Sequence, residues 1–192
     1  MSFVINFVSG PSVGKSLISA LVYAELKVNG YSTEYVQEYA KKLVWLKKWD
    51  KLDNQYLVSS KQYELIDVLY RLDTLDFVVV DGSLLLGAYY NRHYETNVSN
   101  IEKTEEMIFR RNSQFRNIYI YLERNHDVPF EQAGRVQTYT ESVKIDEELL
   151  ELMNEQEIEY KRFRSSKDSL PGIIEYIQSF KKKTEFGTGT NK

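Results

Sequence analysis

Eight residues near the N-terminus, SGPSVGKS from Ser9 to Ser16, stand between an apolar run and a helix-periodic segment, and that order leaves few folds open. FVINFV, residues 3–8, is short, apolar and rich in β-branched and aromatic side chains, the composition of a strand buried on both faces. Leu17, Leu21, Ala24 and Val28 recur at helical spacing, and Gly30 follows where a left-handed helix cap belongs. A strand, a tight glycine turn and a helix in this order form a loop whose backbone N–H groups turn inward around phosphate. Such a loop reads G-x-x-x-x-G-K-[ST]. Its lysine reaches the β and γ oxygens of a nucleoside triphosphate, and its hydroxyl ligates Mg²⁺. Gly14, Lys15 and Ser16 occupy the positions that chemistry requires. Ser9 replaces the first glycine, and Gly10 offers a residue tolerant of positive φ one position later. The sequence thus predicts that Gly10, Pro11, Ser12, Val13, Gly14, Lys15, Ser16 and Leu17 hold ATP, with Mg²⁺ as its companion.

Strands and helices alternate along the rest of the chain. A second strand is expected over residues 33–37, followed by a helix over 38–49 and, after the polar stretch DKLDN, another over 62–72. DFVVVD, residues 76–81, reads as a third strand, and NIYIYL, residues 117–122, as a fourth, with helical patterns between them at 84–89 and 102–109. Residues 123–137 are polar, lack a period and predict a mobile loop. Thr138 and Glu141 then make a capping box for a helix whose apolar face is Ile145, Leu149, Leu152 and Met153. A fifth strand is expected near residues 158–163. Pro171 opens a closing helix with Ile174, Ile177 and Phe180 inward. No linker or repeat divides the chain. The pattern predicts an α/β, three-layer P-loop NTPase fold on a five-stranded parallel sheet, kinase-like and with a lid. Residues 1–183 form one domain, with the lid at about 123–140 and a disordered tail at 184–192.

Composition narrows the chemistry. The 192 residues include no cysteine and two histidines, which excludes thiolate catalysis and argues against a structural zinc site. A formal net charge of −3 disfavours a chain that coats nucleic acid, and leaves at most a narrow basic groove near Arg110 and Arg111. No apolar stretch approaches membrane-spanning length and no basic leader precedes the first strand, so the expected setting is the cytoplasm, a host's if the protein is viral.

Four further residues are placed for chemistry. Asp81 ends a strand of hydrophobes and would hold Mg²⁺ together with Ser16. It is followed by Gly82 and Ser83 rather than by a glutamate that would activate water, which speaks for transfer to a bound acceptor. Glu38, just after the second strand, can take the proton of an attacking hydroxyl or hold the acceptor. Arg124 and Arg135 flank the expected loop and could stabilise the charge that spreads over a transferring phosphoryl group. Tyr39, Tyr89, Tyr90 and Tyr94 would suit an aromatic pocket for a nucleobase or nicotinamide ring, with packing residues as the alternative reading; Trp45 and Trp49 read as core or interface.

EYAKKLVW, KQYELIDVLYRL, VVVDGSLLLGAYYN and GRVQTYTESVKIDEEL resemble segments of a phage-associated group of P-loop proteins, in the family that includes the nicotinamide riboside kinase domain. The resemblance runs from Phe3 to about Phe180. Glu38, Tyr39, Ala40 and Lys41 meet its E-Y-A-[RK] element, where arginine is commoner than lysine. Gln62 matches a glutamine on the third helix, residues 81–86 match D-[SG]-x-L-L-L, and residues 134–138 match the lid element G-R-x-Q-T. The resemblance implies a kinase-like fold with the P-loop strand beside the strand ending in Asp81, and acceptor contacts from Glu38, Tyr39, Gln62 and Asp81. It implies an ATP- and Mg²⁺-dependent phosphotransferase acting on a hydroxyl or phosphate of a nucleoside, nucleotide or nicotinamide riboside, and is compatible with a homodimer. The alternatives are a regulatory P-loop ATPase with a protein partner and a kinase acting on a modified base or end in DNA.

Overall fold

The computed structural model describes residues 2–127 and 137–187, with side chains to residue 182. Pro129, Gly134 and Arg135 of the expected lid, and the tail from residue 188, lie outside the described residues.

Five strands, β1 (Phe3–Val8), β2 (Thr33–Val36), β3 (Phe77–Val80), β4 (Asn117–Glu123) and β5 (Tyr160–Arg164), form one parallel sheet in the order β2-β3-β1-β4-β5. The strand before the phosphate loop therefore lies beside the strand that leads into Asp81, with Phe3 opposite Phe77 and Asn6 opposite Val80. Because all strands run the same way, the residues that follow β1, β2, β3 and β4 gather at one edge of the sheet, where ligands of open α/β sheets bind.

The sheet's period of two divides the core. Phe3, Ile5 and Phe7 of β1, Phe77 and Val79 of β3, and Ile118, Ile120 and Leu122 of β4 pack under α1 (Lys15–Val28) and α8 (Leu170–Gly187). The alternate residues Val4, Val8, Val78, Val80, Tyr119 and Tyr121 face the other layer. That layer holds α4 (Gln55–Tyr70), α5 (Leu84–His93), α6 (Ile101–Asn112) and α7 (Tyr139–Glu155), after the shorter α2 (Tyr39–Trp45) and α3 (Trp49–Leu52). This is the three-layer P-loop fold that the alternation predicts. Fully buried side chains such as Phe7, Phe77 and Leu85 each contribute about 1.5–3 kcal/mol.

Several local expectations are corrected. The buried stripe of α1 is Ile18, Ser19, Val22 and Leu26, while Leu17 is 55% exposed and Val28 81%. Helix α2 stops at Trp45 because Lys47 turns left-handed at φ 53°, with Lys48 N–H closing onto Leu43 O at 3.0 Å. Helix α4 begins at Gln55 rather than Gln62, since the Asn54 side chain accepts the Leu57 N–H at 2.9 Å and starts the helix there. Helix α8 continues to Gly187, so residues 184–187, expected in the tail, are helical. The capping box of Thr138 and Glu141 is present at the start of α7.

Candidate functional site

The phosphate loop leaves β1 at Ser9 and enters α1 at Lys15. Gly14, at φ 103°, takes the left-handed turn that a side chain would strain. The other positive φ of the loop falls on Ser12, at 56°, and not on Gly10. Gly10 is needed for a different reason, close approach. A Cβ there would lie 2.6 Å from Asp146 Oδ1 and 2.7 Å from the Ser142 carbonyl. Lys15 Nζ donates to the carbonyls of Ser9 at 2.7 Å and Gly10 at 2.8 Å, which brings the ammonium over the loop.

At the first turn of α1, Ser16 Oγ donates to Asp81 Oδ2 at 2.7 Å. Asp81 is 3% exposed and its Oδ1 has no hydrogen-bond partner among the described residues. A buried carboxylate oxygen without a donor is costly in free energy unless a cation or its water meets it. An aspartate and a hydroxyl, both hard oxygen ligands at the mouth of a phosphate loop, fit Mg²⁺, which takes one or two protein ligands and completes its shell with phosphate and water. Lys41, on α2, points its Nζ to 3.2 Å from the same Ser16 Oγ. Tyr35 stands behind, its phenol pushed up to about 12 by burial and by the Asp81 charge.

Glu38 occupies the N-cap position of α2, yet its side chain makes no capping bond. The cap is supplied by Gln62, whose Oε1 accepts the Tyr39 N–H at 2.8 Å while its Nε2 approaches Gln37 O at 3.5 Å. Gln62 thus holds the peptide on both sides of Glu38. Gly82 closes the third side, since a Cβ there would lie 2.8 Å from Glu38 Cγ and 3.0 Å from its Cα.

Lys15, Lys41, Glu38 and Gln62 line one pocket, which runs inward from the phosphate loop between α2, α4 and α5. Its volume, about 100 Å³, exceeds several times what one water requires. Tyr90 and Tyr94 line it as the sequence suggests, but Tyr39 and Tyr89 do not. The Tyr39 ring packs instead against Leu43, Leu52 and Val58, and contributes only its backbone N–H to the site. Tyr89 is buried, with its hydroxyl on Glu148 Oε2 at 2.5 Å. Trp45 and Trp49 are exposed.

Arg124 is brought to the site and immediately engaged. Its Nε donates to Asp146 Oδ2 at 2.7 Å, and its Nη2 donates to Pro11 O at 3.1 Å and Ser142 Oγ at 2.5 Å. Ser142 Oγ donates in turn to Pro11 O at 2.5 Å, and Gly10 N–H donates to Asp146 Oδ1 at 2.6 Å. Burial raises the Asp146 carboxyl above the usual aspartate range, against the pull of Arg124. Arg124, expected to stabilise a transferring phosphoryl group, ties β4 and α7 to the back of the phosphate loop.

Sequence reasoning passes over Ser142, Asp146, Gln55 and Ser59. The signal that finds them is a polar residue on a helix's buried stripe: Ser142 and Asp146 share a face with Leu149 and Met153 on α7, and Gln55, Ser59 and Gln62 share one with Ile66 on α4.

No protein-family model matches the chain, and no curated protein matches it by sequence. Among solved structures, the chain is similar to the APS kinase CysC of Mycobacterium tuberculosis in complex with AMPPNP and APS, at 11% identity and a TM-score of 0.48 over 92% of this chain and 98% of that one. It is also similar to the YorR protein of Bacillus subtilis, solved in complex with phosphorylated GDP, at 16% identity and a TM-score of 0.57 over 97% of this chain and 98% of that one. The likeness to YorR along the whole of both chains, together with the sheet order and the loop geometry, gives the chain a P-loop fold.

Proposed function

We propose that the protein is an ATP- and Mg²⁺-dependent phosphotransferase acting on a hydroxyl or phosphate of a nucleoside, a nucleotide or a nicotinamide riboside-like small molecule. One observation carries the reading. The pocket lined by Lys15 is lined also by Glu38, Gln62 and residues of α4 and α5, which supports a space for an acceptor beside the phosphate loop. An enzyme that only hydrolyses ATP needs no such space.

The backbone amides of residues 12–17 and the Lys15 ammonium hold the β and γ phosphates, and Lys41 adds a second positive charge beside Ser16. Ser16 and Asp81 would hold Mg²⁺, which neutralises the charge of the phosphate oxygens. The acceptor oxygen forms a bond to the γ phosphorus as the bond from that phosphorus to the β–γ bridging oxygen breaks. ADP leaves with the electron pair, and the acceptor's proton passes to Glu38. Arg124 keeps Gly10 and Pro11 in place through Asp146 and Ser142, and Arg135, outside the described residues, remains the arginine proposed to meet the transferring group from the lid.

The test is ATP consumption with Mg²⁺ across nucleosides, nucleoside monophosphates, nicotinamide riboside and short DNAs, with Lys15→Ala as control. One acceptor should stimulate turnover strongly and appear as a phosphorylated product. The reading falls if no acceptor does so, or if Lys15→Ala transfers as well as the parent at saturating ATP.

A second reading is favoured by the surface. Trp45, Leu46 and Trp49 are 62%, 51% and 45% exposed in one stretch between α2 and α3, directly after the Glu38 and Lys41 segment. Such a patch suits a regulatory ATPase with a protein partner, for which hydrolysis would accelerate only when that partner is added.

A further inference from the structure

Residues 41–51, KKLVWLKKWDK, hold five lysines against one aspartate, a local charge of +4 in a chain of net charge −3. Leu43 of α2 and Leu52 of α3 turn inward and pack with Val58, which fixes the two short helices to the body of the protein. Trp45 and Trp49 are left outside, interleaved along the chain with the exposed Lys42, Lys47, Lys48 and Lys51. Among the described residues, none of these four lysines has a carboxylate or other side-chain partner, and neither indole has a hydrogen bond or a ring contact. By contrast Lys27 on α1, Lys61 on α4 and Lys144 on α7 each hold a glutamate. Lys47 also takes the left-handed turn that ends α2, at φ 53°, where glycine fits at least cost. Closing the helix alone calls for glycine. A lysine there sets a cation at the bend between the two indoles.

Charge and shape choose the occupant. Unpaired cations in this number call for a polyanion, and flat exposed rings call for a partner that stacks on them. A protein interface depletes lysine from its core, where each ammonium loses its water. A lipid surface holds a helix by a continuous apolar face, and α2 and α3 turn theirs to the core, leaving two indoles and Leu46 outside. A nucleic acid meets both halves of the patch, its phosphates on the lysines and its bases on the indole faces. The bases of a duplex are already stacked on one another, and only a single strand presents them.

We propose that the face carrying Trp45, Lys47, Lys48 and Trp49 binds single-stranded nucleic acid, with a base stacked on each indole and the neighbouring phosphates on the lysines. The surface starts one helical turn beyond Lys41, whose Nζ lies 3.2 Å from Ser16 Oγ, which puts the bound strand beside the phosphate loop. The inference stands apart from the phosphotransferase reading, since it needs neither ATP nor Glu38, and it gives the patch an occupant other than a protein.

Trp45 and Trp49 are the two tryptophans of the chain, so indole fluorescence of the full-length protein reads this face alone. Titration without nucleotide, using a single-stranded oligothymidylate of about twelve residues, should quench the emission to a plateau as bases stack on the indoles. The logarithm of the affinity should fall against that of the salt concentration with a slope of about −3, as four lysines release the counterions of about four phosphates. The same strand paired with oligoadenylate should bind about tenfold more weakly or worse. Trp45→Ala, followed by the anisotropy of a fluorescein-labelled strand, should weaken binding by about tenfold or more. Lys47→Gly, which removes the strained residue, should keep or raise the midpoint of urea unfolding and yet bind several-fold more weakly, with a shallower salt slope. No quenching, a slope near zero, equal binding of the duplex, or unchanged affinity in both variants would overturn the proposal. So would a polyglutamate peptide that competes as well as the oligonucleotide, which assigns the face to an acidic protein, or phosphatidylserine vesicles that shift the emission when the oligonucleotide does not, which assigns it to a lipid surface. Phosphoryl transfer to a small acceptor with no strand bound would sink this inference and leave the enzyme standing. Strand binding with no acceptor phosphorylated would do the reverse.

Discussion

Arg124, at the end of β4, meets Asp146, on α7, at 2.7 Å with the two side chains only 7% and 13% exposed, and both then reach the phosphate loop from behind. A pair this buried is costly to break from one side, because the remaining charge is left without water or partner. Arg124→Ala should therefore lower stability by about 3 kcal/mol or more, read from the midpoint of urea unfolding. Burial already lifts the Asp146 carboxyl, and without Arg124 only the Gly10 N–H and the Lys15 charge oppose it. The folded variant would then hold a proton at a pH where the unfolded chain has lost it. Its deficit should shrink as pH is lowered into the carboxylate range and grow as pH rises through the folded-state value.

The orphaned oxygen of Asp81 predicts a trade of stability against activity. Asp81→Asn should unfold about 1 kcal/mol later than the parent in EDTA, since it removes a buried charge, and should lose about a hundredfold or more in phosphoryl transfer. Mg²⁺ with ADP should raise the melting temperature of the parent far more than that of Asp81→Asn or Ser16→Ala.

Gln62 acts on Glu38 through the backbone. Gln62→Leu leaves the Tyr39 N–H without its acceptor, which costs about 1–3 kcal/mol, and loosens the peptide that aims Glu38. We expect kcat to fall about tenfold with KM for ATP unchanged. Added to Glu38→Gln, the same change should lower kcat hardly further, because two residues that act as one unit are not additive.

Alkaline titration offers a check on the core. Burial pushes the Tyr119 phenol up to about 12, with its hydroxyl hydrogen-bonded to Asn112 Nδ2 at 2.6 Å. Between pH 10 and 12 the unfolded chain loses this proton and the folded chain keeps it. Stability present below pH 10 should therefore be lost as pH rises to 12, by about 2–3 kcal/mol from this residue alone. Tyrosinate absorbance should show exposed tyrosines ionising first and Tyr119 only with unfolding.

The phosphate loop, the central strands and Asp81 are legible in the sequence because each is a local pattern, an apolar run or a fixed spacing of glycine, lysine and serine. The buried face of α1 is not legible, since Leu17, Leu21, Ala24 and Val28 form one helical stripe and Ile18, Val22 and Leu26 another. Packing against Ile173 and Ile177 of α8 and the odd-numbered residues of β1 chooses between them. Arg124 illustrates the other limit. Its charge and its position after a strand are visible in the sequence, but its partner lies beyond the next loop, and only the fold shows that the cation is already engaged. Gln62 is visible as a residue of the site, while its work on the peptide around Glu38 depends on the way α2 and α4 cross.

The place of β1 in the sheet has a consequence for how the molecule comes apart. It lies between β3 and β4 with every residue buried, whereas β5 forms one margin with Lys161, Arg162 and Arg164 turned outward. Those charges discourage a neighbouring molecule from docking as a sixth strand. Backbone amides should exchange with deuterium first along that margin and last in β1. Chains caught halfway through unraveling would still carry the strand that leads into the Ser9–Ser16 loop, the last piece of the architecture to be given up.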